Sequence, residues 1–332
     1  MGGIQPVFRA MAKTVDYRDH LNQRYWAYQD SRFPDWEKYF DRPNAHHGRP
    51  PVFLAREAWR NVIFAPDVTP HDKARLLTLV PDGERHKWFR SMNSSQALAQ
   101  SVFGNLAIHG LLQHLTELDA DEGNALLGNA QPSADNFAME FKIDYLGEPR
   151  RTSLDGYVAG NYRVAIECKF TEQEMGSCSR PRLTPANSNY ESEYCDGTYA
   201  RQRTRMGRCS LTEVGVSYWG YVPRLFHWPN DRDFSPCPLN NNYQLVRNVL
   251  AVGVKPDGAV SVDDGHAILI YDERNPAFQV GGSAHAAYTE TRRALLQPTM
   301  LRKCSWQRII RHIRHGDFLP WLTEQLALKY GF

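Results

Sequence analysis

Between residues 139 and 170, three runs of alternating apolar and polar residues follow one another with so little chain between them that they must lie side by side. The runs cover 139–145, 152–158 and 163–170. Each keeps the period of two that sends successive side chains to opposite faces of a strand. The first is expected to present Met139, Phe141, Ile143 and Tyr145 on one face and Glu140, Lys142 and Asp144 on the other. The third sets Val164, Ile166, Cys168 and Phe170 against Arg163, Ala165, Glu167 and Lys169. Turns at 146–149 and 160–162 leave no room for a crossover, so the strands form an antiparallel meander. The turn lengths also fix the register. A loop at 160–162 puts Asp155 opposite Glu167, and a turn at 146–149 puts Glu140 opposite Asp155. A slip of one residue would scatter all three carboxylates.

The rest of the chain fits around this meander. Ser94 and Ser95 cap a helix carrying Leu98, Val102, Leu106, Leu111, Leu112 and Leu115, expected to run to about Leu118. After the third strand, residues 171–240 are rich in Arg, Ser, Asn and Pro and too long for a simple loop, so they read as an insertion. A helix follows at 241–252 and a strand at 267–271, and the tail from 290 to 332 reads as helical, broken at Pro298 and at 316–320. This order is an α/β fold: helix, three-strand antiparallel meander, insertion, helix, strand and flanking helices. Residues 1–87, with short helices expected at 15–29, 56–63 and 69–79, read as an N-terminal helical or irregular extension to a main domain at 88–332.

Composition excludes more than it selects. The chain has 332 residues, 42% hydrophobic and 23% charged, and a formal charge of +2, so any surface for a polyanion must be local. Two stretches qualify. One holds Arg180, Arg182, Arg201, Arg203, Arg205 and Arg208; the other holds Arg292, Arg293, Arg302, Lys303, Arg308, Arg311 and Arg314 with no acid from 291 to 316. Either can contact phosphate or be a solvated face. No apolar run reaches the ~18 residues of a membrane span, and no signal-peptide pattern opens the chain, so a cytoplasmic protein is expected. No phosphate-cradling Gly-rich loop with Lys is present, which argues against ATP-driven action by this chain alone, and no Gly-x-Ser-x-Gly nucleophile elbow occurs.

The chemistry lies on the polar faces of the strands. Glu167 and Lys169, two apart, share a face, and Asp155 is expected across from Glu167. Two carboxylates and an ammonium suit a hard divalent cation beside a phosphate. The Cys168 carbonyl is a further candidate ligand, and Lys169 can orient the attacking water, deprotonate it or contact the phosphate. A Glu-x-Lys pair alone is usually a solvated strand face; three adjacent strands each offering an acid change that weighting. On the 241–252 helix, Gln244, Arg247 and Asn248 share a polar face that can support the site or be plain helix surface, while Leu245, Val246, Val249 and Leu250 face the core. Four of the six cysteines, Cys178, Cys195, Cys209 and Cys237, fall inside the insertion, where they can hold a structural Zn²⁺ or be ordinary thiols; their long spacings lack the usual close pairs.

The stretches Arg151-Thr152-Ser153-Leu154-Asp155-Gly156-Tyr157 and Ile166-Glu167-Cys168-Lys169-Phe170 resemble motifs of the PD-(D/E)xK nuclease superfamily, in particular its bacterial restriction-endonuclease-like branch. Ser94-Ser95-Gln96-Ala97, Tyr218-Trp219, Tyr243-Gln244-Leu245-Val246-Arg247-Asn248 and Tyr271-Asp272-Glu273-Arg274-Asn275-Pro276 are similar to that branch as well. The resemblance runs from about Trp88 to Phe332 and implies a restriction-endonuclease-like core, hydrolysis of DNA phosphodiesters in a restriction or defence setting, and Mg²⁺ (or Mn²⁺) as cofactor. Carried over, Asp155 and Glu167 become metal ligands and Lys169 the catalytic lysine. Many members carry a Glu on the first core helix; here that helix begins Ser95-Gln96, leaving Gln96 or Glu140 for the role. A catalytically inactive DNA-binding module and an RNA-directed nuclease stay open, as does a methyltransferase or homodimer partner.

Overall fold

A computed structural model of the chain describes residues 16–41, 48–149, 151, 153–179, 186, 195, 197–199 and 209–332. The N-terminal part supplies helices α1 (Tyr17–Arg32) and α2 (Pro70–Thr78), with a 3₁₀ segment at Ala55–Asn61 where a helix is expected from sequence. The first core helix is α3 (Ser95–Ala99), a π-helical stretch at Gln100–Gly104, and α4 (Asn105–Ile108). It stops about ten residues short of the expected end. Gly110, at φ 69°, takes the left-handed conformation that closes a helix, and the Leu111 amide bonds back to the Leu106 carbonyl at 2.7 Å. The leucines at 112 and 115 fall in a separate 3₁₀ turn at Leu112–Glu117.

The meander is β1 (Phe137–Lys142), β2 (Ser153–Val158) and β3 (Arg163–Cys168). Helices α5 (Ser210–Glu213) and α6 (Tyr218–Leu225) follow in the insertion, then α7 (Leu239–Gly253), β4 (Gly265–Tyr271), α8 (Ser283–Ala294), β5 (Leu301–Ser305), α9 (Trp306–His315) and α10 (Pro320–Tyr330). The five strands form one sheet in the order β1-β2-β3-β4-β5, antiparallel through β3 and parallel from β3 to β5. Strand β5 corrects the sequence reading, which has the tail as helix; only five residues long and running straight into α9, it shows little alternation of its own.

Helices cover both faces of the sheet. On one, Val164, Ile166, Cys168 and Phe170 pack with Ile268, Ile270 and Cys304 beneath α3, α4, α9 and α10. On the other, Ala165, Ala267, Leu269 and Leu301 pack beneath α6, α7 and α8. The N-terminal part belongs to the first of these cores: Leu21, Tyr25, Phe40 and Phe53 are buried in it with Leu322, Leu326 and Tyr330 of α10. Among the described residues no helix is long and apolar enough to cross a membrane.

One face assignment in β1 is also corrected. Phe137 and Met139 enter the first core, but Phe141 and Ile143 pack on the second, with Phe141 stacked on Tyr157 at 4.2 Å. The switch occurs at Glu140, whose φ of 50° breaks the pleat and swings the following side chains across the sheet.

The C-terminal helix buries a lysine. Lys329 donates to the Asn61 carbonyl at 2.6 Å and to Asn61 Oδ1 at 2.7 Å, and burial pulls its pKa down from 10.5 to about 7. The native state thus binds fewer protons than the unfolded chain between those values, so this lysine makes stability rise with pH across that window. From pH 7 to 9 its contribution is about 2 kcal/mol. Chemical denaturation of the wild type and of Lys329→Met at the two pH values should yield a difference that shifts by this amount; parallel pH profiles would contradict it.

Candidate active site

The short loop between β2 and β3 sets the register expected from its length. Gly156 pairs with Ile166, Tyr157 with Ala165 and Val158 with Val164. One step further brings Asp155 opposite Glu167, where the strands part and the Cys168 amide donates to Asp155 Oδ2 at 2.6 Å instead of to a strand carbonyl. Across β1 and β2, Met139 pairs with Gly156 and Phe141 with Leu154, so Glu140 stands opposite Asp155. The left-handed backbone at Glu140 lets its carboxylate turn from the ladder toward α3. There Gln96 Nε2 donates to Oε1 at 2.5 Å, and Ser153 Oγ donates to Oε2 at 2.6 Å.

Glu167 and Lys169 leave the end of β3 on the face covered by α7, and only 3% and 7% of each is exposed. Lys169 Nζ lies 2.8 Å from Glu167 Oε1 and donates to Gln244 Oε1 at 2.8 Å. The other Glu167 oxygen accepts from Asn248 Nδ2 at 2.8 Å and lies 3.4 Å from Arg247 Nη2. The polar stripe of α7 thus faces the end of β3. Gly176 enables this approach: it sits at φ 75°, and a Cβ there would come within 2.4 Å of Gln244 Oε1.

The electrostatics divide the acids into two kinds. Burial pushes the Glu167 carboxyl up, but Lys169 and Arg247 outweigh it and hold the group below the usual range. Among the described residues no cation lies at bonding distance of Asp155, and burial together with the charges of Glu167 and Glu140 raises it well above a normal aspartate. Glu140 is raised as well, by burial foremost, against the opposing bonds from Ser153 and Gln96. Lys169 is pulled down by burial and pushed up more strongly by Glu167, Glu172 and Asp155, so it keeps its proton.

These groups line one cleft of about 900 Å³. Among the described residues, five carboxylates border it (Glu84, Glu140, Asp155, Glu167, Glu172) against four cations (Arg18, Arg49, Lys169, Arg247). Among the described residues no three His, Cys, Asp or Glu side chains close around a common point as a complete ligand set. Mg²⁺ asks for less, since one or two carboxylates with retained waters suffice. The donors here are hard oxygens whose repulsion raises Asp155, and a divalent cation would relieve it. The residues fit such an ion.

The cleft also holds residues that sequence reasoning missed. Glu172 ties the end of β3 to α3, accepting from the Phe170 amide at 2.6 Å and from Ser95 Oγ at 2.7 Å. The N-terminal part forms a wall with Arg18, Arg49, His86 and Trp88; Arg18 donates to the Thr171 carbonyl at 2.9 Å, and Trp88 is 56% exposed. Only the three-residue distance from Lys169 could have pointed to Glu172; the wall residues carry no pattern.

Of the two basic stretches, only the second falls within the described residues. Residues Arg180, Arg182, Arg201, Arg203, Arg205 and Arg208 lie outside the described residues. In the second stretch, Arg302 donates to the Ala125 and Thr299 carbonyls, Lys303 lies over the Tyr271 and Tyr288 rings, and Arg308 faces Asp121 at 3.7 Å. None of that stretch lines the cleft.

Residues 12–331 match a protein family described as Restriction Endonuclease associating with ARP. The match takes in most of the first 87 residues, which the motif resemblance left uncovered. Neither a curated protein nor a solved structure matches the chain. With 320 of its 332 residues inside the match (331 − 12 + 1), the chain belongs to this restriction endonuclease family.

Proposed function

We propose that the chain is a metal-dependent endonuclease of the PD-(D/E)xK kind, hydrolysing DNA phosphodiesters in a restriction or defence role. The observation that carries this reading is the meeting of Asp155, Glu167 and Lys169 at one end of β2 and β3, inside a cleft large enough for a nucleic-acid strand. Asp155 and Glu167 would hold Mg²⁺ (or Mn²⁺), with the Cys168 carbonyl as a third oxygen. The bound ion would acidify a water and neutralise charge on the phosphate. It also answers the charge of the described cleft lining, because a phosphate approaching its five carboxylates and four cations needs added positive charge.

The chain's own residues supply position. Asn248 and Arg247 hold one Glu167 oxygen, leaving the other, now on Lys169, to turn toward an ion. Lys169, kept as an ammonium and aimed by Gln244, donates a hydrogen bond to the attacking water or to a phosphate oxygen. Glu140, fixed by Gln96 and Ser153 opposite Asp155, would accept hydrogen bonds from water held at the site when the ion is bound. Glu140→Gln keeps the shape of that contact but removes its charge, and should slow cleavage by about 10–100-fold, the usual cost of losing an outer-shell partner. Single-turnover rates with saturating enzyme measure this; an unchanged rate would remove Glu140 from the site.

The reading is tested by incubating the protein with supercoiled plasmid and, in parallel, a long RNA, with Mg²⁺, with Mn²⁺ and with a chelator. Nicked or linear DNA should form with either metal and not with chelator. Binding without cutting under all conditions, on plasmids that sample every short site, would favour an inactive binding module. Preferential loss of the RNA would move the substrate class.

A further inference from the structure

The four cysteines of the insertion, spaced 17, 14 and 28 residues apart, come together in the fold. Cys178, Cys195, Cys209 and Cys237 line one small cavity of about 10 Å³ beside the start of α7. Backbone bonds stitch three of their segments to each other. The Cys178 amide donates to the Asn240 carbonyl at 3.0 Å, the Cys237 amide to the Gly197 carbonyl at 2.8 Å, and Tyr199 and Phe234 exchange bonds of 2.8 and 2.7 Å. None of the four is in a disulfide.

The second observation concerns the sulfurs. Three of them face a backbone N–H two residues further on. The Gly197 amide donates to Cys195 Sγ at 3.4 Å, and the nearby amides of Leu211 and Thr212 at Cys209 and of Leu239 at Cys237 oppose the burial that pushes those thiols up. A protonated thiol is a weak acceptor that gains little from such donors, whereas a metal-bound thiolate carries charge that they offset. Three sulfurs from distant positions thus share one cavity with backbone amides beside them.

We propose that Cys178, Cys195, Cys209 and Cys237 form a structural zinc site that ties the segment leaving β3 to the start of α7. Four sulfur ligands suit tetrahedral Zn²⁺, and a cavity with space for about one water-sized sphere fits a single ion and no multi-iron cluster. As they stand, the thiols are not drawn together as a closed ligand set; χ1 rotations turn them inward on binding. Zn²⁺ enters, four S–Zn bonds form, and each thiol gives its proton to solvent, leaving a fourfold thiolate site of charge −2. The site acts on the cleft through position: it anchors Leu239, the first residue of the helix that carries Gln244, Arg247 and Asn248, and it holds Cys178 two residues from the Gly176 that packs on Gln244.

The full chain, purified without chelator, should carry one zinc per molecule. A thiol-reactive mercurial should release it in the presence of a zinc-sensing dye. Cobalt offered to the reduced, zinc-stripped chain should give the strong sulfur-to-cobalt absorption of four thiolates. Cys209→Ser and Cys237→Ser should lose the zinc, whereas Cys304→Ser, in the core away from the cavity, should keep it; circular dichroism checks that each variant folds. Should a variant not fold, the cobalt spectrum of the wild-type chain still decides. Wild type without zinc and without the cobalt band, iron in its place, paired disulfides, or a folded Cys209→Ser that retains its zinc would each overturn the proposal.

Discussion

In Lys169→Met, DNA cleavage should fall by about 10³-fold, with the protein folding and still binding DNA. The stem of Lys169 is buried, and Met matches most of its length and volume, so packing is kept. What disappears is one ammonium with two fixed partners, Glu167 Oε1 and Gln244 Oε1. Removing one member of a buried pair is most damaging when the other is left alone. Glu167 is not, since Arg247 and Asn248 still hold its second oxygen. The stability cost is therefore on the order of 1–3 kcal/mol, the penalty of one buried hydrogen-bonding group left short. Binding, measured by gel shift with chelator present, should change little, because Arg18, Arg49 and Arg247 still border the cleft. A variant that cuts at the wild-type rate would deny Lys169 any part in the chemistry.

Asp155→Asn should be inactive and, in chelator, more stable than the wild type. The aspartate is a partly buried carboxylate with no bonded cation among the described residues, and it faces Glu167 and Glu140. Its native pKa is raised, so between the ordinary 3.8 and that raised value the folded state binds more protons than the unfolded chain. Stability from this group is therefore lost as pH rises through the window, because burying it in this acidic cluster disfavours its ionised form. Asparagine carries no charge and keeps an oxygen to accept from the Cys168 amide. The gain is roughly 1–2 kcal/mol, or about 1.5–3 °C in Tm for a chain of this length. The loss in cleavage should reach on the order of 10³-fold or more, since an ion that stabilises transition-state charge by several kcal/mol is no longer held. Added Mn²⁺ should raise the Tm of the wild type, through preferential binding to the native state, and leave that of Asp155→Asn unmoved. A lower Tm in chelator, or equal stabilisation of both proteins by Mn²⁺, would count against the carboxylate cluster as the metal site.

Both predictions come from a part of the chain whose geometry could be read from its residues. The pairing of Asp155 with Glu167 follows from the length of the turn at 160–162, because a short loop leaves strands one register to adopt. The helical stripe of Gln244, Arg247 and Asn248 was legible from spacing alone, though not that it would close over Glu167. Features that depend on tertiary context were not legible. The left-handed backbone at Glu140 has no signature in a residue type that rarely adopts it, and its effect is to move Phe141 to the opposite face of the sheet. Strand β5 exists because β4 offers it an edge beneath α8, not because five residues prefer extension. The cleft wall was hidden by sequence distance: Arg18 and the Thr171 carbonyl it contacts are 153 residues apart. Glu172, which joins two elements through Ser95 and its own neighbour Phe170, looks on the page like any solvated glutamate.

The most direct measurement is anomalous diffraction from crystals of the protein soaked in Mn²⁺, collected at the manganese edge. A peak should lie between the carboxylates of Asp155 and Glu167, within about 2.0–2.3 Å of an oxygen from each, and vanish in Asp155→Asn. Manganese bound elsewhere in the molecule with that position vacant, at concentrations that support cleavage, would contradict the site.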